Sequence, residues 1–366
     1  MKFIINRDIL LSPLQHIVAV IEKRQTMPVL ANVLLQIKPD GLVLTGTDLE
    51  IQLVAKIKAS SDFSENITVP ARKLLDICRL LPANVEMTFE LFEDKIKISS
   101  ARSRFVLSCL PAASYPEFTE SGMDKSFNIA GSLLKKALEK TIFCMANQDV
   151  RYYLNGLLLH ISNSKIKFVA SDGHRLSIFE TTLEQPTDYE IKLILPRKGA
   201  IELHRLLTEV DNQLSVVFSN NNVKIIINEL IFSAKLVDAK YPDFSKVFQQ
   251  SFFKPITVAK QILKDSLTRV AVLSNEKFKG VTLDFSADNL KISTHNPEHD
   301  EAEDELTIDY EAEALSIAFN AQYLLDAVSN IDTDGVILTI SHNASSCFVE
   351  PSETADYKFI VMPMRL

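Results

Sequence analysis

At 366 residues the chain is too long for one ordinary core and points to two or three domains. A composition of 46% hydrophobic and 23% charged residues is that of a folded globular protein and excludes a disordered tract. No apolar run is long enough to span a bilayer, the start M-K-F-I-I-N-R-D is charged too early for a secretory signal, and a net charge of −8, taken alone, argues against a nucleic-acid partner.

In chain order, Phe3 and Ile5 open a strand-like stretch, and Leu10, Leu11, Leu14 and Ile17 follow helical spacing, predicting a helix over 12–24. L-V-L-T-G-T-D ends in a turn at Asp48, and Ile51, Leu53, Ala55 and Ile57 then alternate with Gln52, Val54, Lys56 and Lys58 as a strand with one buried face. Pro70 opens a second predicted helix over 70–81, and S-Y-P-E-F at 114–118 closes the stretch.

The same text then starts again. Phe127, Ile129, Leu134 and Leu138 fall in register with Phe3, Ile5, Leu10 and Leu14. A third copy begins at Ile256, with Leu263 and Leu267 at the matching places. The strand ends Asp48, Asp172 and Asn296 are equally spaced, and K-Y-P-D-F at 240–244 repeats the earlier exit phrase. Proline stiffens each exit and the aromatics pack it down, while copy three ends in V-M-P-M-R-L. The expected domains are 1–122, 123–250 and 251–366. Each reads as strand, helix and several strands, twice over, an α+β fold of antiparallel sheets with helices on one side. Further helices are expected over 132–145, 196–207, 259–273 and 320–330. The thiols of Cys78, Cys109, Cys144 and Cys347 are widely scattered, which fits packed thiols in a reducing cytoplasm rather than disulfides or a zinc site.

Charge is unevenly divided. The six predicted helices total +8 and the remainder −16. Lysine on a helix is ordinarily a solvated residue. Helices sharing one sign on an acidic body instead form an electropositive surface suited to a polyanion held by its phosphates without base readout.

Two stretches carry catalytic patterns. H-N-P-E-H, His295 to His299, matches a zinc-peptidase pattern, but that chemistry needs both histidines on one helical face and Asn296-Pro297 disfavours helix. S-D-G-H-R, Ser171 to Arg175, sets serine, acid and histidine side by side, where they cannot aim at one another as a triad does. Neither yields a catalytic centre, and neither a cofactor nor a metal is expected. A hydrolase built on these histidines and a repeat adaptor that never encircles DNA are the rival readings. The shared helix charge counts against the adaptor.

The three repeats, with S-D-G-H-R-L, Q-D-V-R-Y-Y-L-N-G, L-P-R-K-G, L-S-N-E-K-F-K-G and V-M-P-M-R-L, closely resemble the bacterial DNA polymerase III beta subunit family, the sliding clamps, over the whole chain. The resemblance implies three repeated DNA-clamp domains with sheets outside, in a head-to-tail, ring-forming homodimer around duplex DNA. It also implies that the DNA is bound without regard to sequence and that the protein is a cytoplasmic, non-catalytic processivity factor of the replicative polymerase with no membrane partner. The residues it implies for DNA are Arg24, Arg72, Gln148, Tyr152, Tyr153, Arg197, Lys198 and Arg205. For the subunit contact it implies Lys73, Arg102, Arg104, Phe105 and Leu107 against Val272, Leu273, Glu298, Asp300, Glu301, Glu303 and Asp304; ordinary helix core is the plainer reading of Val272 and Leu273. For a cleft that takes short apolar peptides it implies Arg151, Leu154, Ser171, Gly173, His174, Arg175, Leu176, Pro242, Lys246 and Val247, with Asn320, Tyr323, Ser345, Ser346, Ile360, Val361, Met362, Pro363, Met364 and Arg365. Lys246 and Ser171 stand where close relatives are expected to have arginine and threonine. The implied cleft partners are the replicative polymerase alpha subunit, the clamp-loader delta subunit, and other polymerases and repair proteins.

Overall fold

The computed structural model describes residues 1–22, 27–119, 122–208 and 212–365. One order of elements recurs six times: a strand, a helix and three strands. The first third reads β1 (Lys2–Asn6), α1 (Arg7–Val20), β2 (Asn32–Lys38), β3 (Gly41–Thr47) and β4 (Ile51–Ile57), then β5 (Glu65–Pro70), α2 (Ala71–Leu80), β6 (Glu86–Phe92), β7 (Lys95–Ser100) and β8 (Ser103–Ser108), with a short β9 (Leu110–Pro111). The middle third reads β10 (Lys125–Ala130), α3 (Gly131–Thr141), β11 (Gly156–Ser162), β12 (Lys165–Ser171) and β13 (Arg175–Thr182), then β14 (Glu190–Pro196), α4 (Arg197–Leu206), β15 (Gln213–Phe218), β16 (Asn222–Ile227) and β17 (Leu230–Lys235). The last reads β18 (Ile256–Ala259), α5 (Lys260–Ala271), β19 (Gly280–Ser286), β20 (Asn289–His295) and β21 (Glu301–Thr307), then β22 (Leu315–Asn320), α6 (Ala321–Ser329), β23 (Gly335–Ile340), β24 (Cys347–Pro351) and β25 (Tyr357–Val361).

Packing groups these elements into two compact units, one of residues 1–135 with 198–238, the other of 136–197 with the chain from 239 onward. The first holds a four-stranded sheet, β1-β6-β7-β8, and a nine-stranded sheet, β10-β15-β16-β17-β4-β3-β2-β5-β9. The second holds an eight-stranded sheet, β14-β11-β12-β13-β25-β24-β23-β18, and a four-stranded one, β21-β20-β19-β22. Every pairing among these strands is antiparallel.

Two pairing rules generate these orders. The first strand of each half joins the three strands of the other half: β1 pairs with β6, and β5 with β2. The last strand of one half can then pair with the last strand of a half in the neighbouring third. β17 lies on β4 with Phe232 opposite Leu53, and β25 on β13 with Ile360 opposite Leu176.

Alternation buries one face of each strand; along β4, Ile51, Leu53, Ala55 and Ile57 are buried, while Gln52, Val54 and Lys56 are not. Helices cover that face. α1 packs on β3, β4 and α2, and α5 on β20, β21 and α6. The exit phrases are packed down as expected: Tyr115 and Tyr241 are both buried, and the Tyr115 hydroxyl donates to the Thr45 carbonyl at 3.0 Å.

Five helices match expectation to within a few residues, but α1 starts at Arg7 rather than Ser12 and ends at Val20. Asn6 decides the start, because its side chain accepts the Asp8 N–H at 2.8 Å and Asp8 sits in the positively polarised first turn. Pro13 is therefore inside the helix, where it forfeits one backbone bond. The shift also moves charge: α1 carries Arg7 against Asp8 and α6 carries only Asp326, so the excess resides on α2 to α5, each with three cations and one acid. All four cysteines are buried free thiols, and burial pushes Cys109 up to about 11 and Cys78 and Cys347 up to about 12.

Close approach of helix to sheet fixes Gly46. A Cβ there would stand 2.7 Å from Cγ2 of Ile17 on α1. Gly46→Ala is expected to cost about 1–3 kcal/mol in urea unfolding, as overpacking of a tight core does; an unchanged midpoint would show that α1 can lift off the sheet without penalty.

Candidate nucleic-acid and partner-binding surfaces

In the first unit, three of the cations assigned to DNA converge on the end of α1. Arg72 donates to the Ile21 carbonyl at 2.9 Å, Arg205 to the His16 carbonyl at 3.3 Å, and Lys198 to Glu22 at 2.7 Å as well as to Asp48. The exposed carbonyls at a helix carboxyl end attract cations, which orients the exposed Arg72 side chain, while Lys198, half-buried, is held by two carboxylates. Arg205 also pairs with Glu202 at 2.9 Å. Arg24 lies outside the described residues.

In the second unit, Gln148, Tyr152, Tyr153 and Arg197 gather around one loop. Gln148 adopts a left-handed φ of 58°, Tyr152 and Tyr153 set their rings 6.0 Å apart, and Arg197 donates to the Met145 carbonyl at 2.8 Å. Tyr152 is 58% exposed, an aromatic offered to solvent.

The S-D-G-H-R stretch is the turn from β12 to β13. Ser171 Oγ donates to the Arg175 carbonyl at 2.7 Å, and Asp172 Oδ1 accepts the N–H groups of His174 and Arg175 at 2.9 and 3.0 Å. Gly173 takes φ +88°, and a Cβ there would meet the Arg151 guanidinium at 2.6 Å. Ser171 thus serves the backbone, and the His174 ring stacks on Tyr323 at 6.2 Å. The Arg175 guanidinium sits over the same Tyr323 ring at 4.6 Å and bonds Asp172 at 3.0 Å and Asp326 at 2.5 Å. Arg151 is held by Asp149, whose carboxyl the Arg151 side chain and then its backbone N–H keep down at about 2, so the pair survives until the pH falls to that value.

The tail completes this site. Leu176 pairs with Ile360 and Arg175 with Val361, the Met362 N–H reaches the His174 carbonyl at 2.8 Å, and the Met364 N–H reaches Ala318 at 2.8 Å. Asn320 caps α6 through its side-chain oxygen, accepting from Gln322 and Tyr323 N–H at 2.9 and 3.2 Å. Cys347 pairs with Val361, which places Ser346 beside the tail, and Ser345 bonds Gln250 at 2.8 Å.

The assigned cleft residues divide by exposure. His174, Met362, Arg365, Pro242 and Lys246 are open to solvent, and Val247, Tyr323, Pro363 and Met364 are half-buried. Leu154, Leu176, Ile360, Val361 and Ser346 are buried and act as its floor or support. Sequence reasoning missed Asp149, Asp326 and Phe143, which with Asp172 hold the two arginines; Asp326 lies 151 positions from Arg175, beyond any local signal.

The two edge strands assigned to the subunit contact differ in sign. Arg102, just before β8, and Arg104 on it are exposed, and Phe105 is half-buried. Leu107 is buried at 8% exposure in its own sheet, and Val106, unassigned from sequence, is the outward residue. At β21, Glu298, Asp300 and Glu301 are exposed, whereas Asp304 pairs with Arg269 at 2.9 Å and Glu303 with Lys291 inside the chain. Val272 is 77% exposed just past α5, so helix core does not account for it. H-N-P-E-H spans the end of β20 and the turn into β21, with His299 at φ +69° and no helix beneath it.

Six copies of one βαβββ element, four of them joined in pairs through their last strands, define a clamp-type binding protein. The description "DNA polymerase III beta subunit" matches this chain three times, as an N-terminal domain over residues 1–119, a central domain over 128–243 and a C-terminal domain over 245–365. Among curated proteins, the beta sliding clamp of Pseudomonas aeruginosa is 43% identical over 368 residues and that of Escherichia coli strain K12 40% identical over 367, each covering 100% of both chains. Among solved structures, the Pseudomonas aeruginosa DNA polymerase III subunit beta superimposes with a TM-score of 0.97 at 42% identity, and the same organism's sliding clamp bound to griselimycin gives 0.95 at 42%, each over 100% of both chains. The chain belongs to the bacterial DNA polymerase III beta subunit family, the sliding clamps. It is a DNA sliding clamp, a non-catalytic processivity factor of DNA replication, with three clamp domains and partners that include DNA and polymerase. Among the described residues, no helix is long and apolar enough to cross a membrane.

Removing the guanidinium that ties the cleft together strands two carboxylates. Arg175→Ala is expected to lower unfolding stability by about 3 kcal/mol, because Asp172 and Asp326 lose their shared partner in a poorly solvated site. Chemical denaturation checks it, and a loss under about 0.5 kcal/mol would mean that water replaces the arginine freely.

Proposed function

We propose that two copies of the chain associate head to tail, β8 of one against β21 of the other, and close a ring around duplex DNA. The carrying observation is the strand count. Of six last strands, β4, β13, β17 and β25 are paired in two joints, and β8 and β21 are left as sheet edges of the same kind. A free edge offers an unpaired ladder of N–H and C=O groups, and a basic edge facing an acidic one is electrostatically matched. Such a contact is heterologous, and closure at two copies leaves no free edge of this kind. Domain boundaries near 122 and 250 fit the reading, each set just beyond an exit phrase.

Within that ring the cations of α2 to α5 hold phosphates in replaceable contacts, which permits sliding and makes binding steeply salt-dependent. Arg72, Arg197, Lys198 and Arg205, with Arg24, Gln148, Tyr152 and Tyr153, are the proposed DNA contacts. The cleft around His174, Tyr323 and Met362 takes short apolar peptide motifs from the replicative polymerase alpha subunit, the clamp-loader delta subunit, other polymerases and repair proteins. The polarisable Met362 and Met364 suit a site that accepts many sequences.

Two measurements separate these parts. Val272→Ala combined with Leu273→Ala is expected to give monomers by light scattering at micromolar concentration, and an intact dimer would defeat the edge assignment. Deleting residues 364–366 is expected to abolish calorimetric binding of a polymerase-derived peptide while the dimer persists; unaltered affinity would refute the cleft.

A further inference from the structure

We infer that the partner-peptide cleft continues past Met364 into an adjoining pocket that takes an acidic, aromatic flank of the same peptide. The inference rests on the cleft reading above and adds to it a second anchor with its own chemistry.

The pocket encloses about 420 Å³ in the second unit and shares Met364 and Arg365 with the cleft. Its other walls are Phe278, His295 and Pro297, so it absorbs two sequence features left without a role, H-N-P-E-H and L-S-N-E-K-F-K-G. One residue joins the two sites: Asn320 caps the helix that carries Tyr323, and its amide also donates to the Phe278 carbonyl at 3.1 Å. The loop is held in shape from within, since Asn275 Oδ1 accepts the N–H groups of Lys277 and Phe278, both at 3.0 Å. Phe278 is nonetheless 55% exposed, a large apolar ring presented beside a cavity on a preformed turn.

Charge selects the occupant. Lys277 Nζ stands 5.2 Å from the centre of the Phe278 ring, and Arg365 lines the pocket exposed. Neither cation has a carboxylate partner among the described residues. Of the acids near the rim, Asp300 is bonded by Asn296 through its side chain at 3.1 Å, and Glu276 and Glu298, next in sequence to Asn275 and Pro297, are exposed. A peptide carboxylate drawn to Arg365 in the pocket wall and to Lys277 on the adjoining turn, with a neighbouring aromatic ring against Phe278, Pro297 and Met364, answers both the cations and the exposed ring.

The test uses the full-length protein and synthetic fluorescein-labelled peptides sharing a Leu-Phe apolar core. One carries Asp-Asp-Phe on its amino side, one carries the same flank on its carboxyl side, and a third carries Asn-Asn-Ala on both. Fluorescence anisotropy is expected to give one acidic peptide an affinity about tenfold above the Asn-Asn-Ala peptide, with the advantage shrinking as salt rises. Phe278→Ala and Lys277→Gln, both at exposed positions, are each expected to erase most of that advantage and to leave the Asn-Asn-Ala peptide unchanged. Equal affinity of all three peptides for the unmodified protein would overturn the pocket while leaving the cleft standing, as would an advantage that survives both substitutions. If the Asn-Asn-Ala peptide binds no better to the unmodified protein than to a Tyr323→Ala variant, the cleft reading fails first and the pocket falls with it.

Discussion

Strand-edge pairing is the constraint from which the rest follows. A βαβββ half cannot finish its own sheet, because its first strand belongs to the other half and its last strand exposes a ladder of peptide groups. The chain settles this debt by joining halves across neighbouring thirds, Phe232 to Leu53 and Ile360 to Leu176. These joints explain why the compact units cut across the sequence repeats: a sheet of eight or nine strands holds its members more firmly than the link between two halves of one repeat. They also build the peptide site, since β13 brings the S-D-G-H-R turn and β25 brings the methionine tail to one seam.

Electrostatics is handled at two scales. At long range, the net positive charge sits on four helices of an acidic chain, so an anionic polymer is attracted to one kind of element and repelled by the net charge of the rest. At short range, several of the same cations are pinned by carbonyls and acids, Arg72 by Ile21 and Lys198 by Glu22 and Asp48. A pinned lysine keeps its charge while losing reach, which suits contact with a moving backbone better than capture of one phosphate. In the peptide site the balance reverses: Arg175 is nearly neutralised by two aspartates and serves as a flat platform under Tyr323.

Much of this was legible in the chain itself. Period-two burial along Ile51–Ile57, the recurrence of Phe3 at Phe127, and the two Tyr-Pro phrases were enough for three repeats and an antiparallel α+β fold. The first helix starts at Arg7 rather than Ser12 because Asn6 caps it through a local bond that apolar spacing does not mark. The resemblance places Leu107 in the subunit contact; within the chain the strand's alternation buries Leu107 in its own sheet and leaves Val106 exposed. The supports of the cleft were not legible at all: Asp326 reaches Arg175 from another repeat, and the partners that neutralise Glu303 and Asp304 are set by register and packing, which carry no short-range mark.

The signs of the two free edges have a consequence for polarity. Two β8 edges brought together would crowd their exposed arginines, and two β21 edges their exposed acids, so like-with-like pairing is opposed at both ends. Only an unlike pair can zip. A chain with one basic and one acidic edge is a directed object, like an arrow, and any assembly of it keeps every arrow pointing the same way around. Such an assembly has two chemically different faces, so that a protein gripping it from one side always meets the same face and can read the direction in which it is threaded on DNA.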